Sequence, residues 1–269
     1  MLFVKQYAAR TEQEQKPILV FVHGLLGDGT DWQELIDCLT NYTCFTVDLP
    51  GHGQSKVVKP IDFAHCGQLI RQAIMSVERA LHDQPERPIV LVGYSLGARL
   101  VMFALVHGFL RDLNISACFI EGGHFGLTDQ KEKQQRLAND TNWACRFRQQ
   151  PIEQVLTDWY QQSVFASLNK QQTDELIDKR AHNQGSAIAE MLMATSLAKQ
   201  PFLLDQLATN TGFIHYICGE KDEKFFSLAK QSELNFTAIE GAGHNVHKEK
   251  PDKLAQLIKA KLEQCSLRF

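Results

Sequence analysis

The stretch Val92-Gly93-Tyr94-Ser95-Leu96-Gly97-Ala98-Arg99 decides the fold. It follows the apolar run Pro88 to Val92 and leads into Leu96 to Val106, where apolar positions recur with helical periodicity. Strand, G-x-S-x-G and helix, in that order, spell a sharp turn. Small residues on either side of Ser95 let the backbone take a strained conformation that exposes the hydroxyl as a nucleophile or base. The competing reading is a serine that merely caps a helix. Arg99 raises a second question, because a cation in the first turn opposes the helix dipole at a cost of roughly 0.3–1 kcal/mol. A cost of that size calls for a compensating contact.

Outward from this turn, short β-rich runs alternate with helical segments: Ile18 to Val22, Cys44 to Val47, Ile89 to Val92, Ala117 to Ile120, Phe213 to Cys218 and Phe236 to Ile239. Such alternation predicts an α/β fold, a mostly parallel sheet with helices on both faces. Leu2 to Ala8 is expected to add an antiparallel edge strand. Between Gly122 and Pro201 the alternation stops. Four helical patterns follow instead, over Thr128 to Arg148, Ile152 to Tyr160, Lys170 to His182 and Ser186 to Leu197, with Pro151 and Gly185 as punctuation. The expected organisation is a core of residues 1–121 and 202–269 interrupted by an inserted helical cap, 122–201.

Composition narrows the function classes. The 269 residues carry a formal net charge of −3, which argues against a chain built to coat nucleic acid or an anionic membrane and leaves any anion site local. The seven cysteines, Cys38, Cys44, Cys66, Cys118, Cys145, Cys218 and Cys265, form no C-x-x-C pair and are odd in number, which fits reduced thiols in a cytosol. No secretory signal pattern and no apolar run near the ~20 residues of a membrane span is present. A cytoplasmic monomer acting on a small molecule, without cofactor or metal, is the expectation.

A serine hydroxyl is a poor nucleophile alone, so a histidine oriented by a carboxylate should follow in the chain order Ser, acid, His. Asp222 lies just past the run Phe213 to Cys218, and His244 just past Phe236 to Ile239; loops at the carboxyl ends of parallel strands are where such sheets place their sites. Glu220 and Glu223 compete with Asp222, and His247 with His244. In Phe21-Val22-His23-Gly24-Leu25 a His-Gly turn leaves the Leu25 N–H free to face an oxyanion beside that of Leu96, with His23 as a structural turn residue. The glycine-rich Asp48 to Gly53 reads as architecture.

With these residues in place the chain resembles the α/β-hydrolase fold and, more narrowly, the 2-succinyl-6-hydroxy-2,4-cyclohexadiene-1-carboxylate synthase family of menaquinone biosynthesis. The discriminating marks are GYSLGAR, the run Ile120 to His124 (IEGGH), Asp158 to Asn169 (DWYQQSVFASLN), Cys218 to Phe225 (CGEKDEKF) and Gly241 to Pro251 (GAGHNVHKEKP). Ala98 stands where the family leads one to expect glycine. The resemblance implies a lyase that removes a ring proton from a cyclohexene and expels pyruvate from its enolpyruvyl ether, leaving a diene. Ser95, with His244 and Asp222, would be its general base, and the Leu25 and Leu96 amides would hold the enolate oxygen. Because that substrate carries three carboxylates, the resemblance also assigns anion contacts to Arg99, Arg136 and Arg180, with Tyr94 and Trp159 as pocket walls. From the residues alone Arg136 and Arg180 read as solvated helix faces, and Tyr94 and Trp159 as packing. A serine hydrolase shares the same triad, and a noncatalytic binder on this scaffold would be expected to have lost one of its members.

Overall fold

The computed structural model describes residues 1–10, 16–80, 87–209 and 213–266, with side chains through Gln264, so that the Cys265 thiol counted above lies outside the described residues. Seven strands form one sheet: β1 (Val4–Tyr7), β2 (Ile18–Val22), β3 (Cys44–Val47), β4 (Ile89–Tyr94), β5 (Ile115–Glu121), β6 (Ile214–Gly219) and β7 (Phe236–Ile239). Their order is β1-β3-β2-β4-β5-β6-β7, antiparallel only between β1 and β3. The expected α/β architecture is thus observed, edge strand included.

Burial explains why these segments are strands. Every residue of β2 and β4 is buried, and alternate side chains serve opposite faces. Val20, Val22 and Leu91 join one apolar cluster; Leu19, Phe21 and Val92 join the other. Helices cover both faces: α1 (Gln33–Cys38), α2 (Phe63–Ala80) and α3 (Leu96–Val106), then, beyond the segment that follows β5, α8 (Leu204–Ala208), α9 (Glu223–Gln231), α10 (Val246–Glu249) and α11 (Pro251–Ser266). Ile70 and Leu100 from α2 and α3 lie on the first face, and Leu35 and Ile258 from α1 and α11 on the second.

Between β5 and α8 run α4 (Gln130–Gln149), α5 (Ile152–Trp159), α6 (Lys170–Arg180) and α7 (Gly185–Ala194), with no strand among these residues. They share a small apolar cluster of their own, in which Phe147, Leu156 and Ile188 meet Leu26 from the β2–α1 loop. Pro151 caps α5. Gly185 falls, as expected, at the boundary between α6 and α7. It opens α7 at a close approach to α4, where an added Cβ would stand 2.1 Å from the Phe147 carbonyl oxygen.

The parallel strands deliver their carboxyl ends to one edge of the sheet. Ser95 follows β4, Gly122 follows β5, Asp222 lies three residues past β6 and His244 five past β7. The two outer loops touch there: a Cβ on Gly219 would be 2.1 Å from the Gly243 carbonyl oxygen, and Lys221 N–H donates to Ala242 O at 2.9 Å. That contact brings the acid and the histidine together before any side chain is considered.

Candidate active site

Ser95 takes φ 48° and ψ −106°, a conformation that costs an L-residue on the order of 1–3 kcal/mol and persists only where its surroundings enforce it. Enforcement is visible on all sides. A Cβ on Gly93 would stand 2.8 Å from Ala98 Cα, and one on Gly97 would stand 2.3 Å from Val22 O and 2.5 Å from His23 O. Ser95 N–H donates to Glu121 O at 2.8 Å, which ties the turn to β5. The turn accommodates Ala98, which is fully buried with its Cβ against Gly123.

Ser95 Oγ lies 3.3 Å from His244 Nε2, and His244 Nδ1 lies 2.7 Å from Asp222 Oδ2. With Nδ1 protonated, the ring donates to Asp222 and Nε2 is left to accept from the serine hydroxyl. The rival residues are engaged elsewhere. Glu220 accepts from Gly241 N–H at 3.1 Å, Glu223 is exposed, and His247 donates Nδ1–H to the buried Glu121 carboxylate at 2.8 Å.

Gly24 abuts the nucleophile, since a Cβ there would be 3.4 Å from Ser95 Cβ. The amides of Leu25 and Leu96 have no acceptor among the described residues, whereas Leu26, at φ 71°, donates its N–H to His52 Nε2 at 3.0 Å. His52 in turn donates Nδ1–H to Pro50 O at 2.9 Å, while His23 accepts from Leu49 N–H at 2.9 Å and donates to Gly24 O at 2.7 Å. Two buried imidazoles therefore pin the 23–26 turn to the 48–53 loop. Burial, reinforced by the neighbouring His23, lowers the His52 pKa to about 3 and keeps it neutral.

A cavity of about 230 Å³ opens from Ser95 and His244 toward the helices of 122–201. Arg99, Arg136 and Trp159 line it, together with Lys224 and His124, which sequence reasoning did not single out. Arg99 crosses from α3 to that helical segment, donating Nε–H to Gln200 Oε1 and Nη2–H to Thr195 O, each at 2.6 Å. The contact that answers its helix-dipole cost is thus on the far side of the cavity. Arg136 donates to Asp140 Oδ1 at 2.8 Å, and Asp140 also accepts from Ser196 Oγ at 2.7 Å. Burial first, and Arg136 second, lower the Arg99 pKa to about 9; burial and the surrounding Lys224, Arg99 and Arg136 lower that of His124 to about 3. Three cations against the single, already paired Asp140 carboxylate make a cavity that favours anions.

Tyr94 and Arg180 are not among the residues that line this cavity, and two buried N–H groups of Arg180, at Nε and Nη1, have no partner among the described residues. Tyr94 is buried beneath the triad, its hydroxyl donating to Asn245 Oδ1 and its ring 5.3 Å from that of His244. Arg180, also buried, pairs with Asp31 at 3.1 Å behind the 23–27 turn, where a Cβ on Gly27 would be 3.2 Å from its Nη1. Burial opposes ionisation of Asp31, yet Arg180, helped by His247, Lys248 and His23, holds its carboxyl below the usual range. Among the described residues no group of three or more His, Cys, Asp or Glu side chains is placed to hold a metal, and no helix is long and apolar enough to cross a membrane.

Residues 19–257 match the model of the alpha/beta hydrolase family. A 2-succinyl-6-hydroxy-2,4-cyclohexadiene-1-carboxylate synthase from Yersinia pseudotuberculosis is 41% identical over 254 residues, covering 94% of this chain and 90% of the relative. The chain belongs to that synthase family. Among solved structures, MenH from S. aureus superposes with a TM-score of 0.84 at 26% identity over 98% of both chains. An esterase from Thermogutta terrifontis reaches 0.75 at 16% identity, covering 98% of this chain and 93% of its own, a likeness of fold alone. Synthase-family membership therefore rests on sequence and not on the shared scaffold.

Proposed function

We propose that this chain eliminates pyruvate from 2-succinyl-5-enolpyruvyl-6-hydroxy-3-cyclohexene-1-carboxylate to give 2-succinyl-6-hydroxy-2,4-cyclohexadiene-1-carboxylate. One observation carries the reading: a Ser95–His244–Asp222 relay opens into a cavity whose fixed charge is net positive, as a tricarboxylate substrate needs. Ser95, its proton drawn toward His244, takes a ring proton from the substrate. The electron pair left behind is delocalised onto the succinyl carbonyl, to whose oxygen the Leu25 and Leu96 amides donate as negative charge develops; donors of this kind are each typically worth about 3–4 kcal/mol. As that charge returns through the ring, the C–O bond to the enolpyruvyl group breaks and the diene forms. The proton held on the relay is available to the departing enolpyruvate, which becomes pyruvate. No acyl group is transferred, so Ser95 serves as base and no covalent carrier is required.

In this reading Arg99 and Arg136 hold substrate carboxylates with guanidinium groups that match them at two points, Trp159 forms part of the pocket wall, and residues 122–201 act as the cap. Tyr94 and Arg180 serve from behind, bracing the His244 loop and the turn that carries Leu25. The protein works as a cytoplasmic monomer; the six described cysteines, all free, are in keeping with a reducing compartment. The deciding experiment supplies the enolpyruvyl cyclohexene and follows pyruvate release by a coupled assay. Release at enzymic rates is expected. Turnover of simple esters with no pyruvate released would replace this reading with that of a serine hydrolase.

A further inference from the structure

Lys224 occupies a position that the triad and the two arginines do not explain. It lies in the first turn of α9, two residues after the catalytic acid candidate Asp222. Its side chain is exposed, yet it lines the cavity that holds Ser95 and His244, and it also lines a second, outer cavity of about 360 Å³. Ser163 and Val164 are likewise common to both, so these three residues form the wall between them. On the outer side Lys221 adds a second lysine, offset by Asp222 and Glu223, so the positive charge is concentrated on the inner side of the wall. Among the described residues Lys224 has no ion-pair partner within 4.0 Å, and its ammonium stands 5.6 Å from the centre of the Phe225 ring. Although the residue as a whole is exposed, desolvation of its ammonium first, then Arg136 and Arg99, lower its pKa against the opposing pull of Asp222 and Glu132, so an added anion at this spot relieves an existing repulsion.

Building on the elimination reading, we propose that Lys224 receives the carboxylate of the enolpyruvyl arm and that the released pyruvate leaves through the outer cavity. The chemistry of the side chains sorts the three carboxylates. Two of them stay on the product and suit Arg99 and Arg136, which are braced by Gln200, Thr195 and Asp140. The third belongs to a fragment that must depart once the C–O bond breaks. A guanidinium fork would retain it; an ammonium on a flexible stem is strongly hydrated and makes one mobile contact, which suits capture followed by release. A site at the wall between two cavities gives that fragment an exit that does not wait for the larger product.

The test is a cycle of four kcat/KM values, wild type and Lys224→Ala, each on the natural substrate and on an analogue whose enolpyruvyl carboxylate is capped as a methyl ester. Pyruvate or its ester is followed, and thermal unfolding checks that the variant folds. Lys224→Ala is expected to lower kcat/KM on the natural substrate about tenfold, chiefly through KM and more strongly at low salt. On the capped substrate the same substitution should change little, so that the two losses do not add. Lys224→Arg should restore affinity while slowing release, visible as a lower kcat. Equal losses on both substrates, or no loss on either, overturn the assignment of Lys224. Failure of the wild type to release pyruvate at all overturns the function, a separate result.

Discussion

The reacting centre and the cavity it opens into are built by different means. Ser95, Asp222 and His244 follow three parallel strands, and backbone contacts at Gly93, Gly97 and Gly219 fix their loops to within the width of a missing Cβ. The cavity is assembled from side chains that meet across the chain: Arg99 with Thr195 and Gln200, Asp140 with Ser196, Gln200 with the His124 carbonyl. The first arrangement follows from the sheet, whose fold the esterase shares; the second depends on the helices of 122–201. On the proposed reading the reaction machinery is rigid and set by the sheet, while the choice of substrate falls to the helices of 122–201.

The sharpest way to break this comparison is at the triad. Ser95→Ala, His244→Ala and Asp222→Asn are each expected to lower kcat by about a thousandfold or more while leaving the melting temperature nearly unchanged, since the elbow is set by backbone. Double variants should fall little further, because the three act as one proton-transfer unit. Steady-state pyruvate release with the purified variants is the measurement. A Ser95→Ala protein that keeps near wild-type rates would remove Ser95 as the base.

Arg180 separates structure from binding. Its partner Asp31 is buried, so Arg180→Ala leaves a charge without its counter-ion, at a cost of about 3–5 kcal/mol, or a drop in Tm on the order of 10 °C. The double variant Arg180→Met with Asp31→Leu should recover much of that stability. If Arg180→Ala keeps its Tm but loses affinity for the polyanionic substrate, Arg180 belongs with the cavity cations after all.

For Arg99 and Arg136 the opposite pattern is expected. Replacement by Ala should cost about 2–4 kcal/mol in kcat/KM on the natural substrate, with Arg99 weighted toward kcat and Arg136 toward KM. Lysine should rescue poorly, because an ammonium cannot reproduce the fork. A small neutral ester, which needs neither contact, is the control; equal losses on ester and natural substrate would show that these arginines serve the fold.

These contrasts explain what could be read from the sequence. The strands announce themselves because Ile18 to Val22 and Cys44 to Val47 are buried on both faces and so are apolar but for Thr46. The elbow is legible because its strained φ admits only small neighbours at fixed spacing, and Asp222 and His244 because each follows its strand by a few residues. Lys224 and His124 escaped notice for the opposite reason. Their neighbours at the cavity come from segments far apart in the chain, and no local pattern encodes that meeting. The same holds for the Arg180–Asp31 pair, which spans 149 positions, and for His247 with Glu121, which spans 126. Gly185 was legible as punctuation and does mark the start of its helix, but the close approach to Phe147 that requires it there joins segments far apart in the chain.

The smallest expected effect concerns protons, and it compares the two regions directly. His52 belongs to the pinned turn and His124 to the cavity, and burial lowers the pKa of each to about 3. In the unfolded chain a histidine titrates near 6.5. Between these values the unfolded state binds a proton that the native state refuses, so stability is complete above about pH 6.5 and is lost as pH falls toward 3. Each residue contributes a slope of up to about 1.4 kcal/mol per pH unit in that window. His52→Gln retains an acceptor for Leu26 N–H and removes the titration, so its unfolding free energy in urea should decline less steeply between pH 6 and pH 4. His124→Asn should flatten the profile as well, but with a difference. Part of the His124 shift comes from Lys224, Arg99 and Arg136, and an anion bound among them would cancel it. Saturating product should therefore shrink the effect of His124→Asn and leave that of His52→Gln unchanged. If product alters both equally, the turn and the cavity form a single electrostatic unit, and the division between machinery set by the sheet and pocket built by the helices fails at its most sensitive point.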